Sequence, residues 1–546
     1  MAFLVFAAAA YVVTSTWWWA FAGSHPLPYW DAWEFVEELR KLYAGTYGLS
    51  DLLSPANEHR IALPRIFFFL DTWFFALSET ALVASGLVML SALAVLVARL
   101  AVAGAAFDKV TRSAVVAGVV LTLFSGTQMA CLGWSFAVQF MAHSLLPALA
   151  CALVLRERAG SREVALATLA ALGATFSIAS SLLLWPYLIL LAAWRRLGKG
   201  AIVTFLVIGG GCWWIYLGGR GSGLAPAEIE VRSLLRALAW SLTHLGSAWQ
   251  LDVNSSLAAG GIGTVLVALA VLRVLRSQAG AAERTLLAIA ALWTLYSAAI
   301  GYGRWQLGRE EALAGRYAPG PLLYWAALLA LHLRLSARRA GSRSFQGLAA
   351  LCIVGLALLC WKQAKACKRW LFVREVREVA ALAIWLGDRD PGRLGQVFPR
   401  PDLLEDRIAL LRERHLSIFA SPVAALPGTL LREHCAIVPG PEARLEVLAI
   451  TAPTETSGPG FDLWSGNLAK TPTASDCVLV ATAADGVVRG LGSVGWSLAR
   501  GSPATNAPAC RWFALVPREV AAGGWTWYLL DPRKWVAYPV TALHRK

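Results

Sequence analysis

The sequence predicts a mainly α-helical, polytopic membrane protein that ends in a small β-rich domain. Of the 546 residues, 57% are hydrophobic and only 15% are charged, so the chain is far more apolar than an ordinary soluble protein. Several apolar runs of about 20 residues, long enough to cross a membrane as helices, precede residue 361. After about residue 435, short runs of β-branched and aromatic residues replace this pattern.

The first apolar run, residues 2–22, is as long as a full span, lacks a basic start and ends in aromatic residues. These features favour a retained helix over a cleaved signal peptide. The whole bundle is expected to contain about eleven spans. The further spans are expected at residues 79–101, 113–127, 135–155, 163–178, 182–195, 200–217, 257–275, 284–301, 318–335 and 345–361.

Two segments leave the number of spans open. The pair 163–178 and 182–195 is short for two full crossings, so either helix is tilted or re-entrant, or the two are merged. The stretch "LPRIFFFLDTWFFALSE" is apolar enough to cross, but a crossing there would place Arg99, Lys109 and Arg112 outside. We therefore interpret it as a helix that lies in, or dips into, the outer interface.

The formal net charge of +15 would suggest a nucleic-acid partner in a soluble chain, but here the basic residues cluster in five short connections. The positive-inside rule places these connections in the cytoplasm, so no nucleic acid is expected. With the amino terminus inside, residues 23–78, 218–256, 302–317 and the carboxy-terminal region lie outside. The clusters are Arg99, Lys109 and Arg112; Arg156, Arg158 and Arg162; Arg195, Arg196 and Lys199; Arg273, Arg276 and Arg284; and Arg334, Arg338, Arg339 and Arg343.

The chain therefore divides into a transmembrane domain at residues 1–361, a connector at 362–430 and an external β-rich domain at 431–546. In the connector, residues 365–387 and 402–416 have the helical spacing of amphipathic surface helices. The last domain has the pattern of a small β-sandwich or jelly roll. Two features of it stay open: a disulfide among Cys435, Cys477 and Cys510, and whether Trp464, Trp496, Trp525 and Trp527 pack in a core or stack on sugar rings.

The stretch "PYWDAWEF" places two carboxylates in the external loop 23–78. Asp31 and Glu34 are three residues apart, so on a helix both project to one face, with Trp30, Trp33 and Phe35 available to anchor that helix in the interface. A poorly hydrated carboxylate is a stronger base, which suits it to accept a proton. The alternatives are a solvated helix face for both residues, or a helix cap for Asp31.

Two further polar clusters lie in external segments. In "NEHRIALPR", His59 and Arg60 are candidates to organise a substrate or a phosphate; alternatively, Asn57 caps the next helix and Arg60 snorkels. The connection 301–321 contains Arg304, Arg309 and Arg316 on the side where arginines are disfavoured. Guanidinium groups bind phosphates in a bidentate manner, so an anionic lipid head group is the expected partner. Alternatively, Arg309 pairs with Glu310 or Glu311 and Arg304 faces water.

The stretches "HPLPYWDAWEF", "NEHRIALPR" and "GREEALAGRY", with the layout of residues 1 to about 361, resemble the GT-C superfamily of integral membrane glycosyltransferases. The resemblance implies a polyprenyl-phosphate sugar as donor and an extracytoplasmic glycan or lipid-linked glycan as acceptor. It implies a multi-pass protein of the bacterial inner membrane, in contact with membrane lipids. The active site and the carboxy-terminal domain would face the periplasm.

The resemblance also implies roles for single residues. By the resemblance, Asp31 would act as the base, Glu34 as a second polar group or metal ligand, and Arg316 with Tyr317 as the phosphate-binding part. From the polar clusters themselves, His59 is the third catalytic candidate, and Arg60, Arg304 and Arg309 are the further candidates to bind the donor phosphate. A lipid phosphate is a competent leaving group, so no organic cofactor is needed, and one-step displacement would invert the anomeric carbon. The sequence lacks the adjacent acidic pair of some members, so a requirement for Mg²⁺ or Mn²⁺ stays open.

Two other classes of function remain. A lipid-linked-sugar transporter or flippase would also be polytopic, but it is expected to place ionisable residues inside its spans. The predicted spans are nearly free of charge, which favours chemistry at a surface. A non-enzymatic membrane scaffold would instead bind glycan through its external β-rich domain.

Overall fold

The structure is a computed structural model that describes residues 2–218, 231–337, 343–439, 444–451, 461–469, 477–495, 510–518 and 525–544. Arg338, Arg339 and Trp496, which the sequence singled out, lie outside the described residues, as does the side chain of Cys510. The chain divides into two compact units. The helical unit comprises Met1–Ser24, Tyr47–Leu70 and Thr80–Trp370, and the carboxy-terminal unit comprises His25–Thr46, Asp71–Glu79 and Leu371–Lys546.

Apolar runs between Gly, Pro and charged turns form most of the helices. In chain order these are α1 (Ala2–Gly23), α2 (Ala32–Tyr43), α3 (Leu49–Leu52), α4 (Ala62–Phe75), α5 (Thr80–Val102), α6 (Lys109–Leu123), α7 (Met129–Leu132), α8 (Val138–Val154), α9 (Ser161–Thr175), α10 (Leu184–Arg195), α11 (Lys199–Leu217), α12 (Val231–Gly246), α13 (Val253–Arg276), α14 (Ala281–Arg304), α15 (Pro319–Ala337), α16 (Arg343–Leu386), α17 (Pro391–Leu394), α18 (Leu404–Glu413) and α19 (Leu431–His434).

Each predicted span falls largely on a helix. Among the described residues, five helical stretches are long and apolar enough to cross a membrane, which fits a multi-pass membrane protein. The full set of eleven spans stays a prediction. The five stretches are Thr80–Val102, Lys109–Leu132, Lys199–Leu217, Val253–Arg276 and Ala281–Leu307.

The structure bears on the two ambiguous segments and on one predicted helix break. Helices α9 and α10 are separate, with a 3₁₀ turn at Ala179–Leu183 between them, so the predicted pair is not merged. Helix α4 has 14 residues, or about 21 Å, less than the hydrocarbon thickness. The predicted break between the span 345–361 and the amphipathic helix 365–387 is wrong, because α16 runs unbroken for 44 residues. No proline interrupts its sequence, so nothing local ends the helix.

Helix α12 lies in the predicted external connection 218–256, where the sequence analysis expected no helix. It contacts its neighbours at glycines, which let the backbones approach closely. A Cβ atom on Gly246 would clash with the backbone of Ser256 and Gly260, and one on Gly301 would clash with Ser241. Helix α12 therefore crosses the start of α13 and the end of α14, which lie on the same side of the helical unit.

The strands, in chain order, are β1 (Pro55–Ala56), β2 (His59–Arg60), β3 (Ala436–Ile437), β4 (Arg444–Thr451), β5 (Phe461–Ala469), β6 (Val478–Thr482), β7 (Val488–Gly495), β8 (Cys510–Pro517), β9 (Thr526–Asp531) and β10 (Val536–His544). Strands β1 and β2 form a small hairpin in the helical unit. The others form one sheet in the order β3-β10-β4-β5-β8-β7-β6-β9. Strand β9 also pairs with β10, so this sheet closes on itself.

The closed sheet replaces the predicted β-sandwich. Side chains alternate between its two faces, as the period of two in a strand requires. Trp512 and Trp527 belong to the cluster inside the closed sheet, together with Trp464. On the same two strands, Leu515 and Leu530 point to the opposite face, where they pack with Leu382 of α16 and with residues 423–435. Cys435 is a free thiol in this outer cluster, so it takes no part in a disulfide.

Candidate functional site

Helix α2, which carries the predicted catalytic carboxylates, packs inside the carboxy-terminal unit. Its apolar residues Trp33, Phe35 and Leu39 are fully or almost fully buried, and the helix contacts α18. The ring centroid of Trp33 lies 6.5 Å from that of Phe398. The predicted anchoring of Trp33 and Phe35 in a lipid interface is therefore wrong, because protein groups from about 360 residues later cover them. Trp30, in contrast, is 44% exposed.

Asp31 lies immediately before α2 and is partly buried. Its side chain makes no capping hydrogen bond to the helix, so the predicted alternative of a plain helix cap is wrong. The turn that leads to it is held by the backbone: the N–H of Trp30, at a φ of +51°, donates to the carbonyl of Val397 at 2.8 Å. The turn thus fixes the backbone position of Asp31, and the Asp31 carboxylate makes no capping hydrogen bond to α2.

Glu34 has a defined structural role. Its two carboxylate oxygens accept from Arg400 at 2.5 Å and from Arg407 at 2.9 Å. The side chain of Arg407 is only 7% exposed and lies over the ring of Phe398. Two guanidinium groups therefore hold the Glu34 carboxylate in place. Its predicted alternative, a solvated bystander, does not fit this geometry.

The turn "HPLPY" before Asp31 is fixed by Arg377, which is completely buried. Its Nε donates to the carbonyl of Leu27 at 3.0 Å, its guanidinium also donates to the carbonyl of His25, and it lies over the ring of Tyr29. The carboxylate of Glu79 completes the contact at 2.7 Å. Arg377 therefore joins the three chain segments of the carboxy-terminal unit at one point.

In the helical unit, Glu58 bridges two other side chains. Its carboxylate forms an ion pair with Arg304, at the end of α14, and Nε2 of His59 lies 3.6 Å from it. Nδ1 of His59 accepts a hydrogen bond from the N–H of Ala179 at 3.3 Å. This bond leaves the proton of the neutral ring on Nε2, facing Glu58. The predicted alternative that Arg304 simply faces water is wrong.

Arg60 follows His59 on the same hairpin and stabilises the hairpin through hydrogen bonds. Its guanidinium donates to the carbonyl of Leu53 at 2.5 Å, and its N–H donates to the hydroxyl of Tyr216 at 3.1 Å. That hydroxyl in turn donates to the carbonyl of Thr175 at 2.7 Å. Arg60 is 9% exposed, so the predicted snorkelling alternative does not describe it.

These contacts place the polar cluster at one end of the helices. Tyr216 lies near the last residue of α11, whose first residue is Lys199, and Arg304 ends α14, which carries Arg284 in its first turn. The cluster of Glu58, His59, Arg60 and Arg304 is therefore opposite to the ends that carry the basic connections.

Arg316 and Tyr317, the favoured phosphate-binding pair, lie in a short 3₁₀ turn before α15. Arg316 pairs with Glu311 and lies over the ring of Tyr317, 5.0 Å from its centroid. The carbonyl of Arg316 accepts from the thiol of Cys131 at 2.8 Å. His244 contacts the carbonyl of Tyr317 at 3.3 Å. Helices α7 and α12 thus hold the turn through Cys131 and His244. The guanidinium of Arg316 already has a carboxylate partner in Glu311.

Arg309 differs from these arginines. Its guanidinium donates to the side-chain oxygen of Asn254 at 3.4 Å. In the part of the chain that the structure describes, it forms no ion pair, so the predicted alternative of a partner at Glu310 or Glu311 is wrong; Glu311 pairs with Arg316. Arg309 lines a cavity of about 600 Å³ together with Arg232 and Arg236.

The predicted site residues therefore fall into separate groups. His59 and Arg304 meet at Glu58, Arg316 and Tyr317 share a turn, and Arg309 lines its own cavity. Asp31 and Glu34 belong to the carboxy-terminal unit, and the other candidates belong to the helical unit. Within the described ranges, no group of three or more His, Cys, Asp or Glu side chains has the arrangement to hold a metal ion.

Sequence reasoning missed several residues of these clusters. Glu58 was seen only as part of a polar run, although its charge beside His59 and Arg60 was a usable signal. No local pattern identifies Arg377, Arg400 or Arg407 as partners of the loop 23–78, because more than 300 residues separate them. Comparisons of the chain with protein-family models, with curated proteins and with solved structures find no match.

Proposed function

We propose that the chain is a membrane glycosyltransferase of the GT-C type. It transfers a sugar from a polyprenyl-phosphate donor to an extracytoplasmic glycan or lipid-linked glycan. The observation that carries the proposal is the cluster of Glu58, His59, Arg60 and Arg304 at the helix ends opposite to the basic connections. Charged groups are costly beside lipid, so such a cluster at one membrane surface is typical of a reaction site.

The orientation is part of the same proposal. Under the positive-inside rule, the helix ends with clustered arginines and lysines face the cytoplasm. The polar cluster then faces the periplasm of a bacterial inner membrane, where a lipid-linked sugar meets glycan acceptors. The five long apolar helices support a multi-pass arrangement.

The proposed reaction is a single displacement. Asp31 accepts the proton of an acceptor hydroxyl, and the resulting oxygen attacks the anomeric carbon of the donor. The bond between that carbon and the phosphate oxygen breaks, and the lipid phosphate leaves with the electron pair, so the anomeric configuration inverts. The predicted candidates to stabilise the negative charge on the departing phosphate are Arg304 and Arg316, with Tyr317 beside Arg316. The proposed step uses no metal ion, and a possible requirement for Mg²⁺ or Mn²⁺ is tested with a chelator.

The other predicted site residues receive supporting roles. His59 keeps its Nε2 proton towards Glu58, so it orients that carboxylate rather than accepting a proton itself. Glu58 in turn orients the guanidinium of Arg304. Arg60 braces the hairpin that carries both. Glu34 is held by two arginines and positions helix α2.

The proposal is tested with the purified full-length chain in liposomes that contain radiolabelled polyprenyl-phosphate hexoses or pentoses and a glycan acceptor. We expect label to appear in the acceptor, also in the presence of a chelator. Label that stays on the lipid with every donor would overturn the proposal. Transfer that a chelator abolishes would retain the glycosyltransferase and show that it requires a divalent cation.

A second candidate, a lipid-linked-sugar transporter, is favoured by one observation. His143 is buried within the short apolar helix α8, where Ser181 lies 2.7 Å from Nδ1 and Ser180 lies 3.3 Å from Nε2. Buried ionisable groups between helices mark transport pathways in many membrane proteins. In the liposome experiment, a transporter moves the labelled lipid between leaflets without transferring its sugar.

The scaffold alternative has less support. Trp464 and Trp527 pack inside the closed sheet, as the core-packing interpretation expects, and Trp525 packs against the same cluster. Side chains in this core are not available to stack on sugar rings.

A further inference from the structure

Helix α12 has the surface of a helix that lies in a membrane interface. One face is buried against the helical unit through Ala237, Trp240 and His244. The opposite face exposes Leu234, Leu235 and Leu238, which are 45%, 61% and 54% exposed. Three exposed leucines on one helix face are unfavourable in water, whereas contact with acyl chains removes this cost.

Arginines lie beside this leucine face. Arg232 and Arg236 are four residues apart on α12, and the guanidinium of Arg236 lies 5.5 Å from the ring centroid of Trp305. Together with Arg309 they line the cavity of about 600 Å³ between α12 and residues 305–309. Leu235 and Ala239 complete its apolar wall.

Among the described residues, none of the carboxylates pairs with these three arginines. Arg304 and Arg316 each pair with a glutamate, but none of Arg232, Arg236 and Arg309 forms an ion pair within the described ranges. Three like charges around one cavity repel each other unless an anion lies among them. A phosphate group, with several acceptor oxygens, satisfies such guanidinium groups in bidentate geometry.

We propose that this cavity binds the phosphate of an anionic bilayer phospholipid, whose acyl chains lie along the leucine face of α12. The inference is independent of the proposed glycosyl transfer, because it concerns arginines outside the Glu58 cluster. Besides the arginines, the side chains of the described lining that can hydrogen-bond a head group are those of Gln306 and Trp305. A sugar ring needs several such partners, so a simple glycerophosphate fits this lining better than a sugar phosphate.

The test uses the purified full-length chain in a neutral detergent, with lipid adducts counted by native mass spectrometry. Phosphatidylglycerol is titrated against phosphatidylethanolamine, whose amine offsets the phosphate charge. The wild type is compared with the triple variant Arg232→Gln, Arg236→Gln, Arg309→Gln. The matched control, Arg158→Gln, Arg162→Gln, Arg276→Gln, removes three exposed arginines from the other side of the helical unit. Size-exclusion chromatography checks that each variant is folded.

We expect the wild type to bind one phosphatidylglycerol at least about tenfold more tightly than phosphatidylethanolamine, because the arginines act on net charge. The triple variant should lose this preference, and the control should keep it. Equal binding of the two lipids by the wild type, or an unchanged preference in the triple variant, would overturn the proposal. If the triple variant does not fold, Arg232→Gln and Arg309→Gln are measured singly, and each is expected to lose part of the preference.

A competition experiment separates the two lipid sources of phosphate. Undecaprenyl phosphate is added to the complex with phosphatidylglycerol. If the phospholipid stays bound at equimolar competitor, the cavity is a bilayer-lipid site as proposed. Complete displacement would assign the cavity to a polyprenyl phosphate and contradict the proposed occupant.

Discussion

The carboxylate of Glu34 lies 2.9 Å from the guanidinium of Arg407, which is almost completely buried beside Phe398. The same carboxylate accepts from the more exposed Arg400 at 2.5 Å. This pair explains why an acidic residue occurs at this position of α2, beside the buried guanidinium of Arg407. Glu34 compensates a buried cation, and α2 is thereby fixed against residues 398–407.

Replacing Glu34 tests this structural role. In Glu34→Gln, Arg407 keeps its buried charge but loses its anionic partner, and we expect a loss of about 1–3 kcal/mol in the free energy of unfolding. Thermal unfolding of the detergent-solubilised chain measures the loss. The control is Glu37→Gln, which removes only a half-exposed pair with Arg40 and should change stability by less than about 0.5 kcal/mol. Equal stability of Glu34→Gln and the wild type would refute the role.

Arg377 is predicted to be the most sensitive residue of the carboxy-terminal unit. Arg377→Met removes its contacts with the carbonyls of His25 and Leu27 and leaves Glu79 as a buried carboxylate without this cation. Breaking a buried ion pair in this way costs about 3–5 kcal/mol. We expect faster limited proteolysis in residues 25–46 of the variant. Arg374→Met, at a partly exposed surface pair, serves as the control and should keep the wild-type cleavage pattern.

His25 makes the stability of this unit depend on pH. Burial, followed by the charges of Arg377 and Arg374, holds the pKa of His25 well below its usual value of 6.5. Its Nδ1 also accepts a hydrogen bond from the N–H of Leu27, which a proton on Nδ1 would break. Below about pH 6.5 the unfolded chain therefore binds a proton that the folded chain excludes, so stability falls as the pH falls.

Thermal unfolding midpoints at about pH 8 and about pH 5.5 measure this effect. We expect a larger decrease for the wild type than for His25→Gln, which does not titrate. His434→Gln is the matched control, and its unfolding midpoint should decrease by as much as that of the wild type. If the unfolding midpoints of the wild type and His25→Gln depended on pH in the same way, a group other than His25 would cause the loss of stability at low pH.

The tryptophans inside the closed sheet are predicted to stabilise it rather than to bind glycan. The ring centroid of Trp527 lies 5.9 Å from that of Trp464 and 5.7 Å from that of Trp512. Trp527→Ala leaves a cavity among these rings and should cost about 3–5 kcal/mol. Trp525→Ala, at the partly buried edge of the cluster, should cost less. A Trp527→Ala chain of wild-type stability that no longer binds a glycan would instead favour the scaffold function.

The sequence predicted those parts of the fold that local patterns encode. Apolar runs located the helices, and alternation located strands such as Cys510–Pro517 and Thr526–Asp531. For two of the missed elements, the reason can be identified. Strand β5 contains Asp, Ser, Gly and Asn, which weaken the strand pattern. Helix α12 carries two arginines among its leucines, so a search for uninterrupted apolar runs passes over it.

The candidate site was less predictable, because its contacts are not local. The sequence identified Asp31, His59, Arg304 and Arg316 as charged groups in apolar surroundings. It did not reveal that Glu58 and Glu311 neutralise the two arginines, or that Glu34 pairs with Arg407. The pairs Glu58–Arg304 and Glu34–Arg407 depend on which chain segments meet in the folded chain, whereas Glu311 and Arg316 are only five residues apart. The period of the hydrophobic pattern contains no information on which distant segments contact each other.

The central claim, that this chain transfers a sugar with Asp31 as the base, is tested most directly by the initial rate of label transfer from a polyprenyl-phosphate sugar in liposomes. Wild type, Asp31→Asn and Glu37→Gln are compared at equal amounts of folded protein. We expect Asp31→Asn to lower the rate at least about 100-fold, because general-base catalysis contributes that much or more. Its thermal unfolding midpoint and the rate of Glu37→Gln should stay close to those of the wild type. Transfer by Asp31→Asn at the wild-type rate would contradict the assignment.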